Sequence, residues 1–199
     1  MKRKIIVLIF VSVFNFVLIE GINYTNQYMF KHNFLIRLNE DKEEKPSEVI
    51  PGDDTPIINT DYNGESASSI GKKIEKLLKK SDLEGYGEYI ATTSIKKGVN
   101  PYLIGGIILE NTNCAAECSI IVKNCNNVGE LKGSPGCFGG SYKKYNLIEE
   151  SIDDLVNYIY DNFVSNDLTN PNAIYKKYGK DTTWAFKVNR YMEKIKKSK

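Results

Sequence analysis

A chain of 199 residues holds one domain with appendages and excludes two full-sized ones. Its 41% hydrophobic content is enough for a core and excludes wholesale disorder. The net charge of +2 names no partner, but its distribution is uneven: from Asn39 to Ser69 nine acidic residues meet two basic ones, whereas from Ile70 onward twenty basic residues meet fifteen acidic ones. The C-terminal part is thus mildly basic, which suits an anionic polymer (nucleic acid or a bacterial wall) without choosing between them.

In chain order, Lys2, Arg3 and Lys4 precede an apolar run from Ile5 to Ile19 broken by Ser12 and Asn15 and closed by Glu20. Residues 1–21 read as a signal peptide or N-terminal membrane anchor, so the remainder is expected outside the cytoplasm, anchored or secreted. Residues 22–69 read as a linker. Its Asn39–Ser69 stretch, with Pro, Gly and acidic residues, is expected to be a solvated, flexible spacer. From Ser68 the pattern turns helical, with Ile70, Ile74, Leu77 and Leu78 on one face. A second helix is predicted from Gly87 to Lys97, stopped by Gly98. Asn100-Pro101 then supplies an N-cap and a first-turn proline for a third helix, Pro101 to Glu110, which is apolar all round and therefore central. Residues Asn111 to Tyr145 are rich in Gly, Asn and Cys and show no helical period. Helical patterns resume at Glu149–Phe163, Pro171–Tyr178 and Asp181–Lys197. The fold class is mostly α, with a small irregular second lobe inserted after the central helix.

That lobe contains all four cysteines: Cys114, Cys118, Cys125 and Cys137. An even number clustered in an exported chain predicts two disulfides, with three connectivities open. A zinc site is disfavoured, because no pair has Cys-x-x-Cys spacing and the one histidine, His32, lies far away.

Glu110 is the one charge between Val99 and Cys114 and ends nine residues of apolar helix. Apolar neighbours and the negative end of a helix dipole both disfavour a charged carboxylate. Glycoside hydrolysis needs such a group, a carboxylic acid that donates its proton to the leaving oxygen. A solvated glutamate where the helix surfaces is the plainer alternative.

The stretches Leu83-Glu84-Gly85-Tyr86-Gly87 and Lys97-Gly98-Val99-Asn100-Pro101-Tyr102-Leu103-Ile104, followed by Glu110, resemble the glucosaminidase family of bacterial wall hydrolases. The likeness continues through Asn126-Asn127-Val128-Gly129, Tyr145 with Glu149-Glu150-Ser151-Ile152-Asp153, and Thr169, Ile174, Tyr178, Trp184, Val188 and Met192, in order over residues 70–199. The resemblance implies a lysozyme-like helical domain over 70–199 that cuts peptidoglycan between N-acetylglucosamine and N-acetylmuramic acid. It implies Glu110 as general acid, Asn126 and Asn127 bordering the groove, and Tyr178 facing the glutamate. The implied partner is the glycan strand of the wall rather than nucleic acid, with no cofactor or metal, and the N-terminal segment alone meets the membrane. A lytic transglycosylase and a non-catalytic wall-binding module share these features. The sequence departs from the family after the glutamate, where it runs Asn111-Thr112-Asn113-Cys114, and in its four cysteines. For a second carboxylate the lobe offers Glu117 and Glu130. Glu130 is preferred because it follows the Asn126-Asn127 step.

Overall fold

The computed structural model describes residues 61–198 apart from 179. The expected signal or anchor segment 1–21 and the first part of the linker, 22–60, lie outside the described residues. The described residues fall within one compact unit. It is mostly helical, with one two-stranded sheet and two disulfides.

The described chain opens with an antiparallel hairpin, β1 Asp61–Tyr62 and β2 Glu65–Ser66. Asn63 and Gly64 make its turn with φ of 54° and 78°, the left-handed backbone that Asn-Gly supplies in two-residue hairpins. Helix α1, Ala67–Leu78, follows at once, capped by Ser66 Oγ accepting from Ser69 N. The linker boundary at residue 69 is therefore corrected. The Asn-Gly signal in the acidic stretch marks a hairpin, and Glu65 fastens it to the helices. Its carboxylate accepts from Ser69 Oγ at 2.6 Å and Tyr102 Oη at 2.6 Å, and pairs with Lys73 Nζ at 2.7 Å.

Helix α2 spans Gly87–Lys97 and ends on Gly98 at φ 77°. It crosses α1 with backbones nearly touching: a Cβ on Gly87 would lie 2.4 Å from the Gly71 carbonyl oxygen. Helix α3, Pro101–Thr112, is capped by Asn100 Oδ1 accepting from Tyr102 N and is buried almost throughout. It packs against α1, α2 and the last helix, α7 Thr182–Lys197, and its apolar surface supplies much of the core. Between α3 and α5 (Ile148–Asn162) lies the irregular segment, which holds one short helix, α4 Ile120–Cys125, that the lack of apolar period had hidden. A 3-10 turn, Val164–Asn166, and the single turn α6, Pro171–Ile174, lead to α7. The disulfides join Cys114 to Cys118 and Cys125 to Cys137, which closes the connectivity left open by the sequence. Such bonds point to an oxidising environment. Among the described residues, no helix is long and apolar enough to cross a membrane.

Candidate active site

Helix α3 delivers two adjacent polar residues to the edge of the core. It runs two residues past Glu110 before Asn113, at φ 57°, ends it. Its last carbonyls find partners: Thr112 Oγ1 donates to Ile108 O, and Ser119 N donates to Thr112 O. Glu110 thus emerges from the helix flank near its end rather than from its tip. Its side chain is 15% exposed, and Oε1 lies 3.0 Å from Lys187 Nζ of α7. The hydrogen bond and charge of Glu110 hold the Lys187 ammonium above the usual lysine range. The sequence around Glu110 gave no hint of this cation, which lies 77 residues away. Together with Lys180, Asp181, Thr183 and Trp184, the pair lines a cavity of about 470 Å³.

Asn111, one residue on, points inward and is buried. Its Nδ2 donates to the Gly129 carbonyl and to Tyr178 Oη, each at 3.1 Å, while Oδ1 accepts from Trp184 Nε1 at 2.9 Å. Every polar atom of the amide is used, as burial requires. Tyr178 Oη in turn donates to Gly129 O at 2.6 Å, and its ring stacks on Trp184 with centroids 5.1 Å apart. One amide therefore ties α3, the Gly129 loop and the α6–α7 region together.

Glu130 follows Gly129 at φ 52°, a left-handed backbone that turns its side chain towards Lys180, with which it forms a close ion pair. Both residues line a cavity of about 660 Å³, with Tyr142, Tyr158 and Tyr178. Lys180 also lines the Glu110 cavity, so the two share a wall.

The remaining expected site residues sort clearly. Tyr178 lines the Glu130 cavity and reaches Glu110's neighbour, Asn111, rather than the Glu110 cavity itself. Burial pushes its hydroxyl pKa upward, against the Asn111 hydrogen bond, so it stays a neutral donor. Asn127 does not border a groove. It is fully buried, donating from Nδ2 to Leu131 O and Lys143 O and accepting from Leu131 N. Asn126 caps α4 in the left-handed region, and its amide donates to the Tyr145 and Asn146 carbonyls. Asn127 is thereby corrected to a loop-holding residue, and half-buried Asn126 likewise spends its amide on backbone carbonyls in the segment that carries Glu130. Glu117 sits in the Cys114–Cys118 loop with an 81% exposed side chain, paired with Lys123 at 2.8 Å. That hydrogen bond holds its carboxyl below the ordinary range. It lines none of the cavities described above.

Sequence reasoning missed Asn111, Lys180 and Lys187. A signal for Asn111 existed, since an amide directly after a buried helical run has to find partners. The two lysines carried no signal, because the chain closes them onto Glu130 and Glu110 from distant positions. Among the described residues, no group of three or more His, Cys, Asp or Glu side chains is arranged to hold a metal ion. The chain matches no protein-family model and no curated protein sequence.

Proposed function

We propose that the helical domain is a lysozyme-like glycosidase that hydrolyses the glycan strand of bacterial peptidoglycan between N-acetylglucosamine and N-acetylmuramic acid. The observation that carries this reading is the pair of carboxylates, Glu110 and Glu130, opening onto cavities that share the Lys180 wall. The ordered resemblance described above supports it, as does an oxidising, exported setting for the two disulfides.

In this reading a glycan strand displaces Lys187 from Glu110. Freed of the lysine, the Glu110 carboxylate takes up a proton from solvent, and the carboxylic acid then gives that proton to the glycosidic oxygen as the bond from that oxygen to the anomeric carbon breaks. A water adds to the anomeric carbon and gives up its proton to Glu130, freed from Lys180, or to the solvent if the substrate's acetamido oxygen acts first. Inversion by the Glu130 route calls for carboxyl groups roughly 6.5–9.5 Å apart when substrate is bound.

One observation favours a second route. Glu130 is already neutralised by Lys180, so a single acid at Glu110 would serve a lytic transglycosylase, in which a sugar hydroxyl closes the ring instead of water. Digestion of purified peptidoglycan by the full chain, followed by mass spectrometry, tests both. Fragments with free reducing ends support hydrolysis, and anhydro ends support the transglycosylase. No fragments at all, with intact folding, overturns both.

A further inference from the structure

The cations of the domain fall into two groups. Lys73, Lys143, Lys180 and Lys187 each pair with a carboxylate. Lys72, Lys76 and Lys79, at i, i+4 and i+7 along α1 and its C-cap, are exposed, as are Arg190, Lys194 and Lys197 at the same spacing along α7. That spacing gathers side chains on one helix face. In α1 it is the face turned away from buried Ile70, Ile74 and Leu78, and in α7 the face turned away from buried Trp184, Val188 and Ile195. Among the described residues, no ion pair joins these six to a carboxylate.

The two rows lie side by side. Ser198 Oγ donates to the Lys73 carbonyl at 3.0 Å, which seats the end of α7 on α1. At the seam, Lys196 Nζ stands 5.7 Å over the Tyr102 ring, whose hydroxyl shares Glu65 with Lys73. Together α1 and α7 hold eight basic residues and two acidic ones, whereas α5, packed on α2, holds five acidic residues and no basic one. An anionic surface would turn the domain so that α1 and α7 face it. Phe186 adds an apolar contact. It is 67% exposed and stands one turn before Arg190 on the outer side of α7. An apolar ring among cations gains from the boundary between headgroups and acyl chains, and gains little from a dissolved polyanion.

We infer that the outer face of α1 and α7 docks the domain on an anionic lipid leaflet, with the lysines at the headgroups and Phe186 at the acyl boundary. The chain enters the described domain at the edge of this face, through the hairpin that Glu65 fastens to Lys73 and Tyr102. A tether running from a membrane segment at residues 1–21 therefore delivers this side of the domain first. The docking does not depend on the glycosidase reading, and it leaves the Glu130 cavity, built from other elements, free.

The test is lysine acetylation of the full chain, read by mass spectrometry, on vesicles of phosphatidylcholine alone and of equal parts phosphatidylcholine and phosphatidylglycerol. The N-terminal segment is the same in both arms, so the comparison isolates charge. Lys72, Lys76, Lys79, Lys194 and Lys197 should react several-fold more slowly on the anionic vesicles, while Lys132 and Lys176, exposed elsewhere, keep their rates. Added salt should erase the difference, because it screens exposed charges. Replacing Lys72, Lys76 and Lys79 together by Gln should weaken docking by at least about tenfold, since each cation near such a surface is worth roughly fivefold. The slowing at Lys194 and Lys197 should then vanish with the melting temperature unchanged. Phe186→Ser should reduce it in the same way. Equal rates on both vesicles, slowing of Lys132 and Lys176 as strong as on the face, or slowing that survives the lysine replacements would each overturn the docking. Soluble polyphosphate added to the neutral vesicles is the third arm. Slowing there as strong as on the anionic vesicles would give the face to a dissolved polyanion and overturn the lipid assignment.

Discussion

Trp184 Nε1 donates to Asn111 Oδ1 at 2.9 Å, so the chain's one tryptophan is fixed by the residue directly after Glu110. The same amide holds Gly129, and Gly129 carries Glu130. The positions of both carboxylates are thus tied through one buried side chain. Asn111→Leu removes the partner of the indole N–H and one of the two donors to the Gly129 carbonyl, which keeps Tyr178 Oη. The buried indole N–H left unpaired costs about 1–3 kcal/mol. The variant should unfold at clearly lower denaturant, with altered Trp184 fluorescence in the folded state. A midpoint equal to wild type would refute the hub role.

Glu110→Gln keeps shape and polarity but has no proton to give. Peptidoglycan hydrolysis should fall by roughly 10²–10⁴-fold, with circular dichroism and melting temperature retained. A variant keeping more than about a tenth of the rate would remove Glu110 from the acid role.

Glu130→Gln decides the second group. If Glu130 receives the water's proton, the rate should fall as steeply as for Glu110→Gln, whereas near-normal turnover points to the acetamido or transglycosylase route. Glu117→Gln, on an exposed side chain outside both cavities, should leave turnover unchanged in steady-state assays.

The disulfides should differ in worth. Cys125 and Cys137 close twelve residues and Cys114 and Cys118 close four. Loop entropy then gives about 3 kcal/mol for the first and about 2 kcal/mol for the second. Paired serine substitutions followed by urea denaturation should rank them in that order. Loss of the Cys125–Cys137 bond should also lower activity, because the segment it closes carries Glu130. Equal activity in both paired variants would contradict that link.

Glu65 should make acid stability depend on the hairpin. Burial pushes its carboxyl pKa up, but hydrogen bonds from Lys73, Ser69 and Tyr102 outweigh this and bring it from an ordinary 4.5 to about 2. A group depressed on folding stabilises fully above its unfolded value and loses that contribution as pH falls through the folded one. Stability from Glu65 is therefore complete above about pH 4.5 and gone near pH 2. Glu65→Gln should cost about 1–3 kcal/mol at neutral pH and flatten the decline across that window. A chain started at residue 70 should show the same loss, and a chain started at residue 61 should not. Identical melting curves for the two truncations would defeat the assignment.

How much was legible followed from the range of the forces involved. The helix starts at Gly87 and Pro101, the stop at Gly98 and the buried course of α3 were readable because caps, turn residues and apolar period act within a few positions. The same locality placed Glu110 near the end of a buried helix. The Asn63-Gly64 turn was equally local but lay in an acidic stretch, where composition outweighed it. The short helix α4 was missed because one and a half turns carry too few residues to show a period.

The sequence by itself thus determined a mostly helical domain, the central apolar helix with a glutamate near its end, and four cysteines destined to pair. Only the tertiary structure decided which cysteines met, that Asn127 turned inward to hold a loop, and that Glu110 and Glu130 each gained a lysine from the far end of the chain. The reason is physical. Patterning and capping are settled by neighbours along the chain, whereas an ion pair or a buried amide is settled by what the packed helices bring within about 3 Å, a separation no spacing in the sequence records.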